Sequence, residues 1–381
     1  MKKTISIFGS TGVIGSKALD LAQKFGYKIK ALIANKNYKK IIDQANIYHP
    51  EIIGIADNET FAKVKETLNT SDIKIYPKSE LNNLATIDID CLIMAISGTA
   101  SIESTFSCLG HAKRLAIASK EAIIAGGMLL QTIAKGKGTE IIPVDSEHSS
   151  VFQCLRGELP KDIEQLILTA SGGSFIDYEE SDLTNISVSD ALQHPNWNMG
   201  YKNTIDSSTL INKALEIIEA SYLFNIEIEK VKAIIHPQSI IHAFVKFCDN
   251  SYKSLMYTPD MNHPIAYAMK YPERSNNVVK DLDLLNLSDL RFQKMKPWQK
   301  RNIDLAYHAY NEKKVISFNS ANEIAVNLFI KKRISFCDIY NTISLCLECA
   351  RTENPNSVED IINISNEAKH VISSGSALFD I

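Results

Sequence analysis

The sequence lacks the features that mark membrane, disulfide-rich or nucleic-acid-binding proteins. Its longest apolar runs, such as CLIMAI at 91–96, are far shorter than the roughly 20 residues that a membrane-spanning helix requires. The seven cysteines, scattered from Cys91 to Cys349, are odd in number and favour reduced thiols over a disulfide framework. A formal net charge of −3 provides no basic field for a nucleic acid. We therefore expect neither nucleic-acid nor membrane partners.

The amino terminus, MKKTISIFGST, also lacks the apolar core and the small-residue cleavage site of a signal peptide. We therefore expect a cytoplasmic protein. Of the 381 residues, 45% are apolar and 22% are charged, which is an ordinary globular composition. This length suggests two or three domains rather than one.

Short apolar runs alternate with helix-length amphipathic segments up to about residue 145. The runs are TISIFG, KIKALIA, IIGIAD, IKIY, CLIMAIS, RLAIAS and TEIIPVD, and helical segments include 16–25, 37–48 and 59–69. Buried strands that alternate with helices predict an α/β fold with a Rossmann-like, doubly wound parallel sheet.

The remainder of the chain has a different pattern. A loop-rich stretch from about 148 contains the strand QLILTAS and one helix near 208–224, and KAIIHPQSIIHAFVKF at 232–247 predicts two further strands. Residues 275–300 predict a connector that ends in MKPWQ, and 301–371 predict several helices without a strand. We expect a central α+β region followed by a helical region.

The segment GSTGVIG places three glycines between the first strand and the first helix. Gly9 allows a tight turn, Gly12 allows a diphosphate to approach the backbone, and Gly15 allows the helix to pack closely on the strand. The backbone amides from Thr11 to Ile14 would then face the anion. At the first junction of a repeated strand–helix pattern, the loop favours dinucleotide binding over a simple turn.

The end of the second strand indicates which dinucleotide is bound. NAD binding would place an acidic residue about 20 residues after the loop. The segment there, IANKNYKK, has no acid and instead offers Asn35, Lys36, Asn37, Lys39 and Lys40. Amides and lysines favour the 2′-phosphate of NADP(H), whereas the alternative is that Lys39 and Lys40 only solvate a helix face.

Two carboxylates follow the last predicted strand of the sheet. Asp145 and Glu147 are two residues apart, so in an extended strand end both would point to the same side. Paired carboxylates repel unless a cation or a shared proton compensates, and oxygen ligands favour Mg²⁺ or Mn²⁺ over structural zinc. A surface charge pair is the alternative, but the edge of a parallel sheet is where ligands bind.

The segment DSSTLINKALEIIEA predicts an amphipathic helix with a phosphate site at its start. Asp206, Ser207 and Ser208 are good N-cap residues, and Leu210, Ala214, Leu215 and Ile218 form the apolar stripe. Asn212, Lys213 and Glu216 share the neighbouring face, where Glu216 would hold a metal beside the phosphate. The alternative for this helix in isolation is a solvent-facing Lys–Glu pair.

Two loop segments remain open on the residues alone. TASGGSF at 169–175 is either a simple turn or a backbone-rich anion cradle with Ser171 as its hydroxyl. HPNWNMG at 194–200 contains Trp197, one of only two tryptophans, in a stretch without helical or strand periodicity. A packed hydrophobic anchor is the default interpretation of such a tryptophan.

These motifs, in this order, resemble the 1-deoxy-D-xylulose 5-phosphate reductoisomerases. The resemblance rests on GSTGVIG, SKEA at 119–122, PVDSEHS at 143–149, SGGSF at 171–175, HPNWNMG, DSSTLINKALEIIEA and HPQSIIH at 236–242. It implies an oxidoreductase and isomerase that converts this ketose phosphate to 2-C-methyl-D-erythritol 4-phosphate with NADPH and Mg²⁺, Mn²⁺ or Co²⁺. That reaction is the committed step of the non-mevalonate (MEP) route to isoprenoid precursors. A cytoplasmic homodimer is implied, with strands near 231–247 as the contact.

The resemblance also implies roles for individual residues. The metal ligands would be Asp145, Glu147 and Glu216, and the catalytic set Lys120, Glu147, His194 and Trp197. The substrate contacts would be Lys120, Ser146, Glu147, Ser171, His194, Ser207, Asn212, Lys213 and Glu216. The NADPH contacts would be Thr11, Gly12, Val13, Ile14, Asn35, Lys36, Asn37, Ser119, Glu121 and Gly200. Either Lys120 or Glu147 would move the proton, along a retro-aldol/aldol path or an α-ketol shift.

The implied organisation has three domains and a lid. An NADPH-binding domain would span 1–147, a catalytic and dimerisation (connective) domain 148–275, a linker 276–300 and a helical domain 301–381. Residues 194–202 would form a lid, with Trp197 over the carbon skeleton and His194 at the phosphate. Two positions depart from the family, which usually has serine at Val13 and asparagine at Ser119.

Two competing functions remain open at this stage. A semialdehyde dehydrogenase would need a nucleophilic cysteine with a histidine base, for which Cys154 in a predicted helix is the nearest candidate. A non-enzymatic NADP sensor would have no use for the paired carboxylates and the phosphate helix.

Overall fold

The seven apolar runs form one parallel sheet in the computed structural model, which describes residues 2–68, 72–193 and 200–375, with side chains as far as 372. The strands are β1 (Thr4–Phe8), β2 (Lys28–Ala34), β3 (Ile52–Ile55), β4 (Lys74–Tyr76), β5 (Ile89–Met94), β6 (Ala112–Ile117) and β7 (Glu140–Pro143). Their order, β4-β3-β2-β1-β5-β6-β7 with every pair parallel, confirms the predicted doubly wound sheet. The order in which successive strands are added reverses between β1 and β5. Doubly wound folds bind their ligands at this point, beyond the carboxyl ends of the strands.

Helices connect these strands where the periodicity predicted them. They are α1 (Val13–Lys24), α2 (Tyr38–Tyr48), α3 (Asn58–Thr67), α4 (Leu81–Ala85), α5 (Ile102–Ser107) and α6 (Lys120–Lys137). Ala18 and Leu19 on α1 are fully buried, as the helical spacing requires for a face that packs on the sheet. No helix within the described ranges is long and apolar enough to cross a membrane.

A second sheet begins after the helix α7 (Ser146–Cys154). Its strands are β8 (Ile163–Ala170), β9 (Val231–Ile235), β10 (Ile241–Phe247) and β11 (Tyr252–Met256), in the order β11-β10-β8-β9. The predicted strands QLILTAS and 232–247 are confirmed, whereas β11 was not predicted. Between β8 and β9 lie α8 (Val188–Ala191), α9 (Tyr201–Ser208) and α10 (Ile211–Phe224), and α10 packs on this sheet.

The chain forms two compact units. The first comprises Met1–Ala122, Met128–Ser149 and Asp260–Lys280, and the second comprises Ile123–Gly127, Ser150–Pro259 and Asp281–Ile381. The first unit thus includes α11 (Asn262–Lys270), an unpredicted helix that packs on α1. The hydroxyl of Tyr27 donates to the Met269 carbonyl oxygen at 2.7 Å, and Arg114 donates to the carbonyl oxygens of Met269 and Tyr271 at 2.8 and 2.6 Å. The division into three domains stays a prediction.

The carboxyl-terminal part of the second unit is helical, as predicted. Its helices are α12 (Pro297–Asn311), α13 (Val315–Ile330), α14 (Asp338–Cys349) and α15 (Val358–Gly375). The predicted connector 275–300 is four residues too long, because Pro297 starts α12 as a first-turn proline with a fixed backbone angle. All seven cysteines are free thiols, as predicted, and Cys346 is buried in α14 whereas Cys349 is exposed.

Candidate active site

The glycine loop has the conformation that the sequence predicted. Gly9 has a φ of +88°, and a Cβ there would lie 2.3 Å from the Ala95 carbonyl oxygen. A Cβ on Gly15 would lie 2.3 Å from the Gly9 carbonyl oxygen, so close packing requires a glycine at this position too. Gly12 is the N-cap of α1 and provides no side-chain acceptor for its first N–H groups. The Gly12 N–H donates to the Gly9 carbonyl oxygen at 3.0 Å, whereas the N–H groups of Val13 and Ile14, in the first turn of α1, are available to an anion.

Asn35, Lys36 and Asn37 lie between the end of β2 and the start of α2, and all three are exposed. The Asn37 side chain accepts a hydrogen bond from the Lys40 N–H at 3.2 Å and so caps α2. The Lys36 carbonyl oxygen accepts from the Thr60 hydroxyl at 3.3 Å. The ammonium group of Lys36 is thus presented on a hydrogen-bonded turn at the carboxyl edge of the sheet.

Ser119, Lys120 and Glu121 are brought together at the start of α6. Ser119 is the N-cap, and its hydroxyl oxygen lies 2.5 Å from that of Ser101 and 3.4 Å from a carboxylate oxygen of Glu121. The Lys120 ammonium forms an ion pair with the Asp145 carboxylate. These residues are at most 9% exposed, apart from Asp145, whose side chain is 20% exposed. The predicted cofactor contacts therefore adjoin the predicted acidic site within the first unit.

The prediction that Asp145 and Glu147 lie in an extended strand end is wrong. β7 ends at Pro143 and α7 begins at Ser146, because Asp145 is a good N-cap residue and bonds the Ser146 N–H at 3.0 Å. Glu147 lies in the first turn of α7 and accepts a hydrogen bond from the Ser146 hydroxyl. Carboxylate oxygens of Asp145 and Glu147 nevertheless lie within 4.8 Å of each other. The two carboxylates are thus adjacent, as a shared cation requires.

The surroundings of Asp145 keep it ionised. Burial raises the pKa of this carboxyl group, but the nearby Lys120 ammonium and the His148 imidazole outweigh that effect and hold the pKa below its ordinary value. Nδ1 of His148 lies 3.4 Å from Oδ2 of Asp145, and His148 is fully buried. His148 has no role among the residues predicted above, although its position three residues after Asp145 on a helix indicates the contact.

In the second unit, the Ser171 loop packs directly against the end of α9. Gly173 has a φ of +67°, and a Cβ there would lie 2.5 Å from the Ser207 carbonyl oxygen and 2.8 Å from Cα of Ser208. The Gly173 N–H donates to the Ser171 hydroxyl at 3.3 Å. The second unit thus brings the Ser171 loop to Ser207, although 36 residues separate the two serines in the sequence, and the anion cradle stays a prediction.

The single predicted helix near 208–224 is wrong in its start. Asp206, Ser207 and Ser208 are the last residues of α9, not an N-cap, and α10 begins at Ile211 after a bend. At the bend, Leu210 has a φ of +61°, a left-handed conformation that costs a non-glycine residue about 1 to 2 kcal/mol. The sequence has helical propensity on both sides of this bend, so the pattern gives no sign of it. Leu210 is 2% exposed, and its packing stabilises the bend.

Asn212, Lys213 and Glu216 form one cluster on the first turns of α10. The Glu216 carboxylate accepts hydrogen bonds from the Asn212 amide and the Lys213 ammonium. Lys213 is 3% exposed and Glu216 is 1% exposed, so the alternative of a solvent-facing Lys–Glu pair is excluded. A buried ion pair is a costly arrangement for stability alone, which favours a role in ligand binding.

Four other residues singled out by the sequence are His194, Trp197, Gly200 and Cys154. His194 and Trp197 lie outside the described residues, and Gly200 is the N-cap of α9. Cys154, the candidate nucleophile of the competing dehydrogenase, is buried at the end of α7. A buried thiol is inaccessible to a substrate and does not suit that chemistry.

Comparisons with known proteins identify the relatives of this chain. The family model for 1-deoxy-D-xylulose 5-phosphate reductoisomerase matches residues 5–127, and two models for the C-terminal domains of that family match 141–224 and 256–371. The Clostridium novyi enzyme of that name is 40% identical over 378 residues, covering 97% of this chain and 98% of the relative. The Wolbachia pipientis enzyme is 40% identical over 375 residues, covering 96% of each.

Solved structures agree with this result. A crystal structure of DOX-P reductoisomerase with NADPH, fosmidomycin and magnesium has a TM-score of 0.94 at 32% identity, with 99% of both chains covered. The Zymomonas mobilis enzyme with NADPH has a TM-score of 0.91, also at 32% identity and 99% coverage of both chains. The similarity in sequence and in fold therefore extends over the whole chain.

Proposed function

Because this chain belongs to the 1-deoxy-D-xylulose 5-phosphate reductoisomerase family, we propose how its own residues perform the family's reaction. The protein is an NADPH- and divalent-metal-dependent enzyme that converts 1-deoxy-D-xylulose 5-phosphate to 2-C-methyl-D-erythritol 4-phosphate. The observation that carries the assignment of residues is the burial of Lys213 and Glu216 in mutual contact at the start of α10. Charged groups buried in this way are characteristic of functional sites.

Asp145, Glu147 and Glu216 are our proposed metal ligands. All three offer carboxylate oxygens, which suit Mg²⁺ and Mn²⁺, and Asp145 stays ionised beside Lys120. The proximity of Asp145 and Glu147 fits a bound cation, because two carboxylates within 4.8 Å of each other repel in its absence. When bound there, a divalent metal supplies Lewis-acid stabilisation for the negative charge that develops on the substrate oxygens.

The substrate's phosphate group is held, in our proposal, by Ser171, Ser207, Asn212 and Lys213. The packing of Gly173 against Ser207 keeps the two hydroxyl-bearing segments together, and Lys213 contributes a buried positive charge. Because the phosphate is remote from the bonds that change, its binding orients the carbon skeleton and supports closure of the site. Ser146 contacts the substrate beside Glu147.

NADPH binds, in our proposal, across the carboxyl edge of the seven-stranded sheet. Its diphosphate lies on the uncapped N–H groups around Thr11, Gly12, Val13 and Ile14. Its 2′-phosphate contacts Asn35, Lys36 and Asn37, and its nicotinamide end contacts Ser119, Glu121 and Gly200. Loss of the serine that the family usually has at Val13 removes only a hydroxyl, since the backbone amide remains.

Lys120 and Glu147 are the two candidates for moving the proton. Lys120 forms an ion pair with Asp145, and Glu147 accepts a hydrogen bond from the Ser146 hydroxyl. Each side chain therefore places a group that can donate or accept a proton in the acidic site. His194 and Trp197 keep roles that rest on the resemblance alone. His194 contacts the phosphate, and Trp197 covers the carbon skeleton and excludes water.

The localisation, oligomeric state, metal range and domain roles of the protein are further parts of our proposal. We propose a cytoplasmic homodimer that works with Mn²⁺ as well as Mg²⁺, with the β9–β10 region as the dimer contact. We also propose that residues 1–147 bind NADPH and that 148–275 carry the catalytic and dimerisation functions, with a lid at 194–202. A linker that begins at 276 leads to the helical domain, whose first helix, α12, begins at Pro297 rather than after residue 300.

The test is NADPH oxidation with 1-deoxy-D-xylulose 5-phosphate, measured with Mn²⁺ and with excess chelator. Turnover should require the metal, and Glu216→Gln should lower it by at least about a hundredfold while NADPH binding is retained. Glu227→Gln is the matched control, because it removes an exposed carboxylate of the same unit, one that pairs with Lys230 at 3.0 Å. Full activity of Glu216→Gln, or turnover that persists in chelator, would overturn the assignment.

A further inference from the structure

The bend between α9 and α10 sets the relative positions of the proposed phosphate contacts. Ser207 lies in the last turn of α9, whereas Asn212 and Lys213 lie in the first turn of α10. Between them, Leu210 has a φ of +61° and a ψ of 7°. A change in this bend would move the Ser207 hydroxyl relative to the Lys213 ammonium, so the geometry of the phosphate site depends on what holds the bend.

Two amide side chains from the carboxyl-terminal helices hold it. Nδ2 of Asn302, on α12, donates to the Thr209 carbonyl oxygen at 2.8 Å, and Nδ2 of Asn322, on α13, donates to Oδ1 of Asp206 at 2.9 Å. Both asparagines are buried, and α13 packs against both α9 and α10. The two hydrogen bonds thus fix the last turn of α9 immediately before the bend.

Asp206 transmits the contact along α9. It is 1% exposed, and its second oxygen, Oδ2, accepts a hydrogen bond from the Lys202 ammonium at 2.8 Å. Its backbone carbonyl oxygen accepts from the Thr209 hydroxyl at 3.1 Å. Removal of the Asn322 amide would leave Oδ1 of a buried carboxylate without that donor, and a buried carboxylate must find another. The last turn of α9, which includes Ser207, would shift in consequence.

We propose that Asn322 is a positioning residue for the phosphate group of the substrate, acting through Asp206 on Ser207. Asn302 has the same role through Thr209. The carboxyl-terminal helices thereby tune substrate affinity without touching the substrate. This inference rests on the proposed function, because it takes the phosphate ester as the ligand of Ser207 and Lys213.

The test compares Asn322→Ala with the wild-type enzyme. We expect kcat/KM for 1-deoxy-D-xylulose 5-phosphate to fall roughly tenfold, and the inhibition constant of inorganic phosphate to rise by a similar factor. The KM for NADPH should stay unchanged. A general loss of folded enzyme would lower the apparent kcat but would not raise the inhibition constant of phosphate, so the two explanations can be distinguished. Asn302→Ala is the second variant, with the same expected pattern if Asn322→Ala fails to fold.

Ser320→Ala is the matched control on α13. Its hydroxyl lies 2.8 Å from that of Ser365 on α15, so the substitution removes a buried hydrogen bond of the same helix away from the bend. We expect a lower Tm with unchanged kcat/KM and phosphate inhibition. Equal effects of Ser320→Ala and Asn322→Ala, or unchanged phosphate inhibition in folded Asn322→Ala, would overturn the inference. Absence of turnover by the wild-type enzyme would instead overturn the proposed function.

Discussion

The hydroxyl oxygens of Ser101 and Ser119 lie 2.5 Å apart, and both residues are almost fully buried. Ser119 is the position at which the family usually has asparagine. Two small hydroxyl side chains share a space here that an amide and a hydroxyl together would overfill. We therefore expect that the Ser101 hydroxyl limits the size of the side chain that fits at position 119.

This relationship predicts that restoring the family's usual residue is harmful by itself. Ser119→Asn should lower the free energy of unfolding by about 1 to 3 kcal/mol, because it adds atoms to a filled site. Ser101→Gly in the same chain should recover part of that loss, so the two effects will not be additive. Denaturant unfolding of both variants and of the double variant measures this. A stable Ser119→Asn single variant would contradict the packing argument.

Gly173→Ala should damage both the fold and the substrate site. An added Cβ would lie 2.5 Å from the Ser207 carbonyl oxygen, in addition to the strain of a φ of +67°. Gly157→Ala is the matched control, since Gly157 has a φ of +81° but nothing lies within 4 Å of its Cβ position. We expect about 1 kcal/mol of destabilisation for Gly157→Ala, from strain alone.

For Gly173→Ala we expect a larger loss of stability together with a raised KM for the phosphorylated substrate. Thermal unfolding and steady-state kinetics of the two variants distinguish the backbone strain that both share from the steric contact with Ser207 that only Gly173→Ala creates. Similar KM values for both variants would show that the Gly173–Ser207 contact has no part in substrate binding.

Asp90 should make the stability of the first unit depend on pH in acid. The hydrogen bond from the Lys113 ammonium, and then that from the Thr4 backbone N–H, lower the pKa of this carboxyl from 3.8 to about 2. A lowered pKa means that the ionised group stabilises the fold above about pH 4, and that this stabilisation is lost as the pH falls toward about 2. Its size is about 1 kcal/mol after allowance for solvent screening.

The measurement is the difference in unfolding free energy between wild type and Asp90→Asn across that range. The difference should be constant above about pH 4 and disappear near pH 2. Asp88→Asn is the control, because the Asp88 side chain is highly exposed and pairs with His111 at 2.9 Å. A difference that grows as the pH falls would contradict the sign of the argument.

Much of the fold could be predicted because it depends on local patterns. Each strand of the seven-stranded sheet is an apolar run of its own, and glycine at positions 9 and 15 is required by backbone contacts that any such loop makes. The cluster of Asn212, Lys213 and Glu216 followed from helical spacing alone, because residues one turn apart must meet.

The remaining features depend on contacts between distant parts of the chain. The break at Leu210 is invisible in a continuous helical pattern, since its left-handed backbone is stabilised by tertiary packing. Asn302 and Asn322 are neutral residues within helices, and nothing local indicates that they donate to α9. Asp145 follows a strand and was therefore predicted as its extended end. It is instead the N-cap of α7, because a helix begins at the next residue.

The first unit includes α11, although α11 follows β8 to β11 of the second unit in the sequence. This order has a consequence for folding during synthesis. Tyr27 and Arg114 donate hydrogen bonds to carbonyl oxygens of Met269 and Tyr271, which the ribosome adds long after the last strand of the sheet. The first unit therefore stays incomplete until about half of the second unit has been translated, although domains usually fold in the order of synthesis. The face of α1 that packs on α11 stays uncovered during this interval.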